Sequence, residues 1–236
     1  GWKNEEIEKA GLAVAAHGSQ LAAPGRYYDR FRNRIIFPIA DANGRVIGFG
    51  GRIFEDGGKK QENAEAKYIN TPQTMIYDKS RALFGFHEAK NVIRTKNNVV
   101  VVEGYMDCIM SHQAGVENTI AVSGTALTPQ HLQFLKRLCG TVITSFDTDA
   151  AGDSATKRSL ALAAQFGFER RIAAIPSGKD PADTVRDNPR AWQEAVAGAE
   201  HAVEFFFKKA KKEHDPKTAE GRKKIASLVL PYIAEL

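Results

Sequence analysis

Val99-Val-Val-Val102, running directly into Glu103-Gly-Tyr-Met-Asp107, is the stretch whose reading decides the fold. Four consecutive β-branched apolar residues leave no polar face. A strand made from them must be covered on both sides, as in a parallel sheet sandwiched by helices. A helical pattern follows at 106–114, then a strand at 119–122 and a helix at 129–138 with Pro129 in its first turn. Next come a strand at 141–146, a helix at 152–166, a strand at 171–175 and a helix at 189–197. Strand-then-helix alternation of this kind predicts an α/β domain built on a mainly parallel sheet flanked by helices.

The flanks differ in character. Residues 1–95 predict an α+β subdomain that opens with a short helical run at 4–10. Arg34-Ile-Ile-Phe-Pro-Ile-Ala40 and the run at 45–54 are strand-like, and Asp41-Ala-Asn-Gly44 between them supplies the turn of a hairpin. Residues 55–66 are charged and glycine-containing and read as a loop. Ser80 is placed to cap a helix at 81–92. Residues 200–236 form a basic helical segment, amphipathic at 225–236. Lys208-Lys-Ala-Lys-Lys212 reads there as a solvated face and Phe205-Phe-Phe207 as its packing anchor. The expected organisation is therefore 1–95, 96–199 and 200–236.

Bulk properties exclude several classes. The chain has 236 residues, 43% of them hydrophobic, which suits a folded globular protein. No apolar run approaches the ~20 residues of a membrane-spanning helix. The first ten residues carry no signal-peptide pattern, so a soluble cytoplasmic protein is expected, with no membrane partner. Cys108 and Cys139 are the only cysteines, and the six histidines are scattered, so no zinc site is expected. A net charge of +5 suits an anionic partner.

The residues that carry chemistry stand where strands stop. Glu103 follows 99–102, Asp147 and Asp149 follow 141–146, and Asp180 and Asp183 follow 171–175. In an open parallel sheet, ligands bind in the crevice beyond the strand C-termini. Up to five carboxylates would converge there and repel one another unless a cation lies between them. Hard divalent ions take oxygen ligands, and Mg²⁺ keeps places for substrate phosphates. Two such ions clamp the attacking and leaving oxygens of an in-line phosphoryl displacement. Any one Asp after a strand is as readily a helix cap or turn former. Recurrence at three successive strand ends is what carries the metal reading.

Glu103-Gly-Tyr-Met-Asp107, Ser123-Gly-Thr-Ala-Leu-Thr128, Phe146-Asp-Thr-Asp-Ala-Ala-Gly152 and Gly178-Lys-Asp-Pro-Ala-Asp183 together resemble the Toprim domain shared by primases and topoisomerases. The resemblance implies an acidic centre at Glu103, Asp147 and Asp149, with Asp180 and Asp183 as further ligands of Mg²⁺ or Mn²⁺, two ions or more. Glu103 is implied either as a ligand or as a general acid/base. Related primases often carry Asp-Pro-Asp where this chain has Asp180-Pro-Ala-Asp183, which leaves both acids as alternatives.

Tyr28-Asp-Arg-Phe-Arg-Asn-Arg-Ile-Ile-Phe-Pro-Ile39, Gly44–Arg52, Lys67-Tyr-Ile-Asn-Thr-Pro72 and Asp78-Lys-Ser-Arg-Ala-Leu-Phe-Gly85 resemble the N-terminal subdomain of DnaG-type primases. Between 26 and 81, eleven Lys or Arg face seven Asp or Glu, interleaved with Tyr27, Tyr28, Phe31 and Tyr68. Cations beside stackable rings suit a single-stranded nucleic acid. The resemblance implies that Arg52, Lys67 and Lys79, and Arg34 with them, meet template and triphosphate. It further implies template-directed synthesis of an RNA primer from ribonucleoside triphosphates on single-stranded DNA, at the bacterial replisome. The replicative helicase is expected to be met through a domain absent from this chain. Two alternatives remain: another Toprim enzyme, a topoisomerase or nuclease, which would relax or cut supercoiled DNA; or an inactive single-strand-binding module, which would bind DNA without polymerising.

Overall fold

The computed structural model describes residues 1–16, 27–54, 66–124, 126–145, 150–175 and 179–234. They fall into two units, Gly1–Ala82 and Leu83–Leu236. The first contains α1 (Asn4–Lys9), a two-stranded ribbon of β1 (Ala13–Ala15) and β2 (Tyr27–Asp29), and an antiparallel sheet of β3 (Arg34–Ala40), β4 (Val46–Ile53) and β5 (Tyr68–Asn70). The predicted hairpin is present as β3–β4. Asp41 builds its turn by accepting the amides of Asn43 and Arg45 at 2.8 and 3.0 Å, and Gly44 takes φ +83°. The loop read at 55–66 lies, apart from Ala66, outside the described residues.

The second unit runs α2 (Phe86–Lys96), β6 (Asn98–Val102), α3 (Tyr105–Gln113), β7 (Thr119–Ala121), α4 (Pro129–Leu135), β8 (Thr141–Thr144), α5 (Ala150–Gln165), β9 (Glu169–Ile172), α6 (Pro181–Asp187), α7 (Pro189–Ala197), β10 (Glu200–His201), α8 (Ala202–Glu213) and α9 (Ala219–Ala234). Its sheet has the order β10-β9-β8-β6-β7, with β6 parallel to β7 and β8, β8 parallel to β9, and β10 antiparallel at the edge. The mainly parallel sheet read from the sequence is therefore what forms.

Val99, Val100, Val101 and Val102 are each 0% exposed, which requires cover on both faces. On one face Val100 and Val102 pack with Cys108 of α3, Val185 of α6 and Trp192 of α7. On the other side of the unit, Leu160 of α5 and Ile172 of β9 pack with Ala202 and Phe206 of α8 and Tyr232 of α9. The Phe206 and Tyr232 rings stack at 4.2 Å. No described helix is long and apolar enough to cross a membrane.

Two elements depart from expectation. The helix expected at 81–92 starts instead at Phe86. Residues before it serve the sheet: Phe84 exchanges both backbone hydrogen bonds with Ala121, each at 3.0 Å. Gly85 then reverses the chain at φ +77°, a left-handed conformation costly for any residue with a side chain. Ser80 caps no helix; its hydroxyl donates to Asp78 at 2.7 Å. Between the expected strand at 171–175 and the expected helix at 189–197 a further helix forms, α6 from Pro181 onward, with Asp180 as its N-cap.

A Cβ at position 85 would lie 2.6 Å from the Cys108 sulfur and 3.4 Å from the Thr119 carbonyl. Gly85→Ala should therefore lower stability by about 2 kcal/mol or more, backbone strain and contact acting together. Urea denaturation checks this, and an unchanged midpoint would refute it.

Candidate metal and nucleic-acid site

The strand ends meet on one edge because the register makes them. Val101 lies beside Thr144 and Thr144 beside Ile172. Past the strands, Ser145 donates to the Val101 carbonyl at 3.0 Å and Ala173 to Thr144 at 3.0 Å. On the other flank Ser123 donates to the Glu103 carbonyl at 2.9 Å, so the exit of β7 is tied to the residue that ends β6. The chain moves from β6 to β7 on one side, then to β8 and β9 on the other. That reversal places a topological switch between β6 and β8, the position at which open parallel sheets bind ligands beyond the strand C-termini. Glu103 leaves β6 at this switch point and is half-buried.

Asp147 and Asp149 lie outside the described residues, between Ser145 and Ala150. Asp180 caps α6, its carboxylate accepting the Asp183 amide at 2.6 Å, while Thr184 donates to its carbonyl at 2.9 Å. Asp183 is paired with Arg186 at 2.7 Å on the exposed side of the helix. Lys179, next to Asp180, is drawn to Asp187 at 2.8 Å, and this bond holds the Asp187 carboxyl below the usual carboxylate range. The cations of this turn are thus taken by Asp183 and Asp187, and among the described residues Asp180 carries no ion pair.

Among the described residues no group of three or more His, Cys, Asp or Glu gathers in a way that could hold a metal ion. The donor chemistry nevertheless fits a hard cation. Glu103 and Asp180 offer oxygen, from segments that follow the two strands flanking β8. The thiols offer nothing, because burial pushes Cys139 up to about 11 and Cys108 well above its ordinary value.

Asp107 is the residue that sequence reasoning passed over. It is buried at 7% exposure, and its two carboxylate oxygens accept the amides of Gly104 at 2.9 Å and Ala182 at 3.1 Å. An acid three residues past Gly104 was a visible capping signal. The partner at Ala182 has no sequence signature.

The basic residues belong to the first unit. Arg34 opens β3, and one of its terminal nitrogens donates to the carbonyls of Ala66 at 2.9 Å, Gly51 at 3.4 Å and Lys67 at 3.5 Å. It fastens the start of β5 to β4. Arg52 sits opposite Tyr68 across β4–β5, its guanidinium 5.9 Å from the ring centre. Lys67 is exposed at the mouth of β5 and Lys79 half-exposed. Of the interleaved rings, Phe31 packs edge-on against Phe49, and exposed Tyr28 lies under Arg32 at 4.8 Å.

A parallel sheet with acids at the ends of neighbouring strands beside its switch point is the arrangement of a Toprim-type domain. Comparison with known proteins agrees. Residues 1–90 match the family described as "DNA primase catalytic core, N-terminal domain", 100–185 the family described as "Toprim-like", and 203–236 the "DnaB-helicase binding domain of primase". The DNA primase of Clostridium acetobutylicum is 38% identical over 241 residues, covering 100% of this chain and 37% of that protein. The RNA polymerase domain of Mycobacterium tuberculosis primase DnaG superposes with a TM-score of 0.80 at 33% identity, covering 100% of this chain and 74% of that one. A DnaG primase catalytic domain bound to ssDNA superposes at 0.77 with 35% identity, covering 98% and 70%. The chain belongs to the DnaG-type DNA primases, as their catalytic core with its Toprim domain. It spans little more than a third of the length of the curated relatives it matches. The third match corrects one expectation: likeness to a helicase-binding region lies within this chain, at 203–236.

Arg34→Lys keeps the charge but replaces the planar fork with a compact ammonium. It should loosen the start of β5 at a cost of about 1 kcal/mol. Hydrogen exchange at the Ile53 amide, which donates to the Lys67 carbonyl at 3.0 Å, should quicken; protection equal to the wild type would rule out the clamp.

Proposed function

We propose that this chain performs template-directed nucleotidyl transfer, joining ribonucleoside triphosphates into a short RNA primer on single-stranded DNA. The observation that carries the reading is the parallel run of β6, β8 and β9, whose C-terminal ends lie abreast and are followed by Glu103, by Asp147 and Asp149, and by Asp180. Divalent ions, Mg²⁺ or Mn²⁺, supply the charge neutralisation that a triphosphate and a departing pyrophosphate need. Glu103, Asp147, Asp149 and Asp180 would hold them. Asp180 is preferred over Asp183, whose carboxylate is committed to Arg186 on the outer side of α6. Arg52, Lys67 and Lys79 offset phosphate charge and orient the template, as cations beside rings do for single strands.

Relatives support the partners. A similar primase catalytic domain is named as bound to ssDNA, and the match of 203–236 to a helicase-binding domain supports contact between α8–α9 and the replicative helicase. Contact with these partners would put the chain in the bacterial cytoplasm, at the replication fork.

Asp147→Ala or Asp149→Ala should cut metal-stimulated ribonucleotide incorporation on a single-stranded template by at least about 10²-fold, the scale of losing one preorganised electrostatic stabiliser, with circular dichroism unchanged. Near-normal incorporation by either variant would remove this centre from the reaction. Lys67→Ala should weaken single-strand binding uniformly across sequences and reduce the slope of log affinity against log salt by roughly 0.7, the share of one phosphate contact. An unchanged slope would take Lys67 off the template path.

A further inference from the structure

The carboxylate of Asp107 stands between the two segments that carry the described acids. Gly104, whose amide it accepts at 2.9 Å, is the residue after Glu103. Ala182, whose amide it accepts at 3.1 Å, lies two residues past Asp180 and 75 positions along the chain from Asp107. Capping the first turn of α3 needs only the bond to Gly104. The bond to Ala182 does nothing for that helix end; it joins the turn after β6 to the first turn of α6, which packs against α3. Asp180 is fixed within that same turn by the Asp183 amide and the Thr184 hydroxyl. The chain also keeps the approach clear. A Cβ on residue 104 would lie 2.9 Å from Asp107 Oδ2, so any side chain there would press the carboxylate off its amides.

We propose that Asp107 is a positioning residue of the metal centre: by holding the Gly104 and Ala182 amides at once, it sets the separation between Glu103 and Asp180 without itself ligating an ion. Both of its oxygens face peptide N–H groups, which leaves it ill-placed to be a ligand and well placed to hold two. The proposal rests on the metal-centre reading above. Partners of this outer kind orient metal ligands, and their loss typically weakens metal binding about ten- to a hundredfold.

The test is Asp107→Asn in the whole chain. Asparagine offers one oxygen and one N–H pair where two acceptors stood, so one of the two amides must face a donor. Mn²⁺ binding is titrated by the paramagnetic resonance of the free ion, without nucleotide, and the Mn²⁺ dependence of ribonucleotide incorporation is measured beside it. The variant should bind Mn²⁺ about ten- to a hundredfold more weakly. Its half-saturating Mn²⁺ concentration should rise by the same factor, while saturating metal restores most of the rate. Ser111→Ala serves as the structural control: its buried hydroxyl donates to the Asp107 carbonyl at 2.6 Å, so its loss should lower the melting temperature and leave the Mn²⁺ titration alone. Should Asp107→Asn fail to fold, Asp107→Ala, which introduces no opposing N–H, takes its place in the same titrations. A wild type that binds Mn²⁺ and a variant that binds it equally would overturn the proposal alone. So would a rate that excess Mn²⁺ cannot restore while binding is unchanged. A wild type that binds no Mn²⁺ would overturn the metal-centre reading and the proposal with it.

Discussion

The parallel pairing of β8 between β6 and β9 is the constraint on which the rest of the unit depends: it sets abreast the strand ends that Glu103 and Asp180 follow. Two like charges 4 Å apart near a protein surface oppose each other by about 4 kcal/mol, so a flexible chain would spread them. Here the strand ends belong to a sheet in which β8 runs in parallel register between β6 and β9, and Val99–Val102 of β6 are fully buried. The apolar run Val99–Val102 thus has a second consequence beyond stability: the strand cannot slip without carrying four valines out of their layers. Rigidity in the hydrocarbon part of the unit holds the strand ends in place whatever charge follows them. The cations nearest Asp180 in the chain are engaged elsewhere, Lys179 with Asp187 and Arg186 with Asp183. Such an edge is suited to receive positive charge from outside the chain.

What was legible in the sequence followed from periodicity and strong local signals. The continuous valines announced a doubly covered strand, Asp41 to Gly44 announced the hairpin, and Pro129 in the first turn announced α4, whose N-cap in the structure is the Thr128 hydroxyl. What was not legible depended on partners distant in the chain. Ser80 looked like a helix cap because residues 81–92 have helical composition. Yet Phe84 pairs with Ala121, and that tertiary bridge delays the helix until Gly85 has turned the chain. Arg34 reads as one more cation in a basic block until its guanidinium is seen spanning three carbonyls, two of them more than thirty residues away. The resemblance to primases supplied the acids by position, but no local pattern predicts that Asp107 reaches Ala182.

Asp180 shows how the cap and ligand readings posed by the sequence are compatible. An N-cap carboxylate uses one oxygen on its own helix and keeps the other on the side away from it. Here Oδ1 takes the Asp183 amide, and the same bond that starts α6 fixes the rotamer of the acid. A residue frozen by capping loses little further entropy on binding an ion, whereas an acid on an untethered loop would have to be ordered at that moment. Structural and functional readings of an Asp after a strand can therefore both hold.

The helical segment that resembles a helicase-binding domain is built into the same unit as the catalytic sheet. β9 alternates in burial, and its inward residues are Ile172 and Arg170. Arg170 is 2% exposed and reaches the Tyr232 carbonyl at 3.4 Å, meeting the C-terminal end of α9 where the helix dipole is negative. Tyr232 in turn stacks on Phe206 of α8, and Ile172 lies in the same apolar cluster. Removing α9 would take from this buried guanidinium its bond to the Tyr232 carbonyl and from Phe206 the ring stacked on it. The neighbouring Arg171, by contrast, is spent on the surface with Glu169 at 2.7 Å. Two adjacent arginines that look alike in the sequence thus have opposite duties, and the inward one makes α8 and α9 part of the cover of β9, the strand that leads towards Asp180.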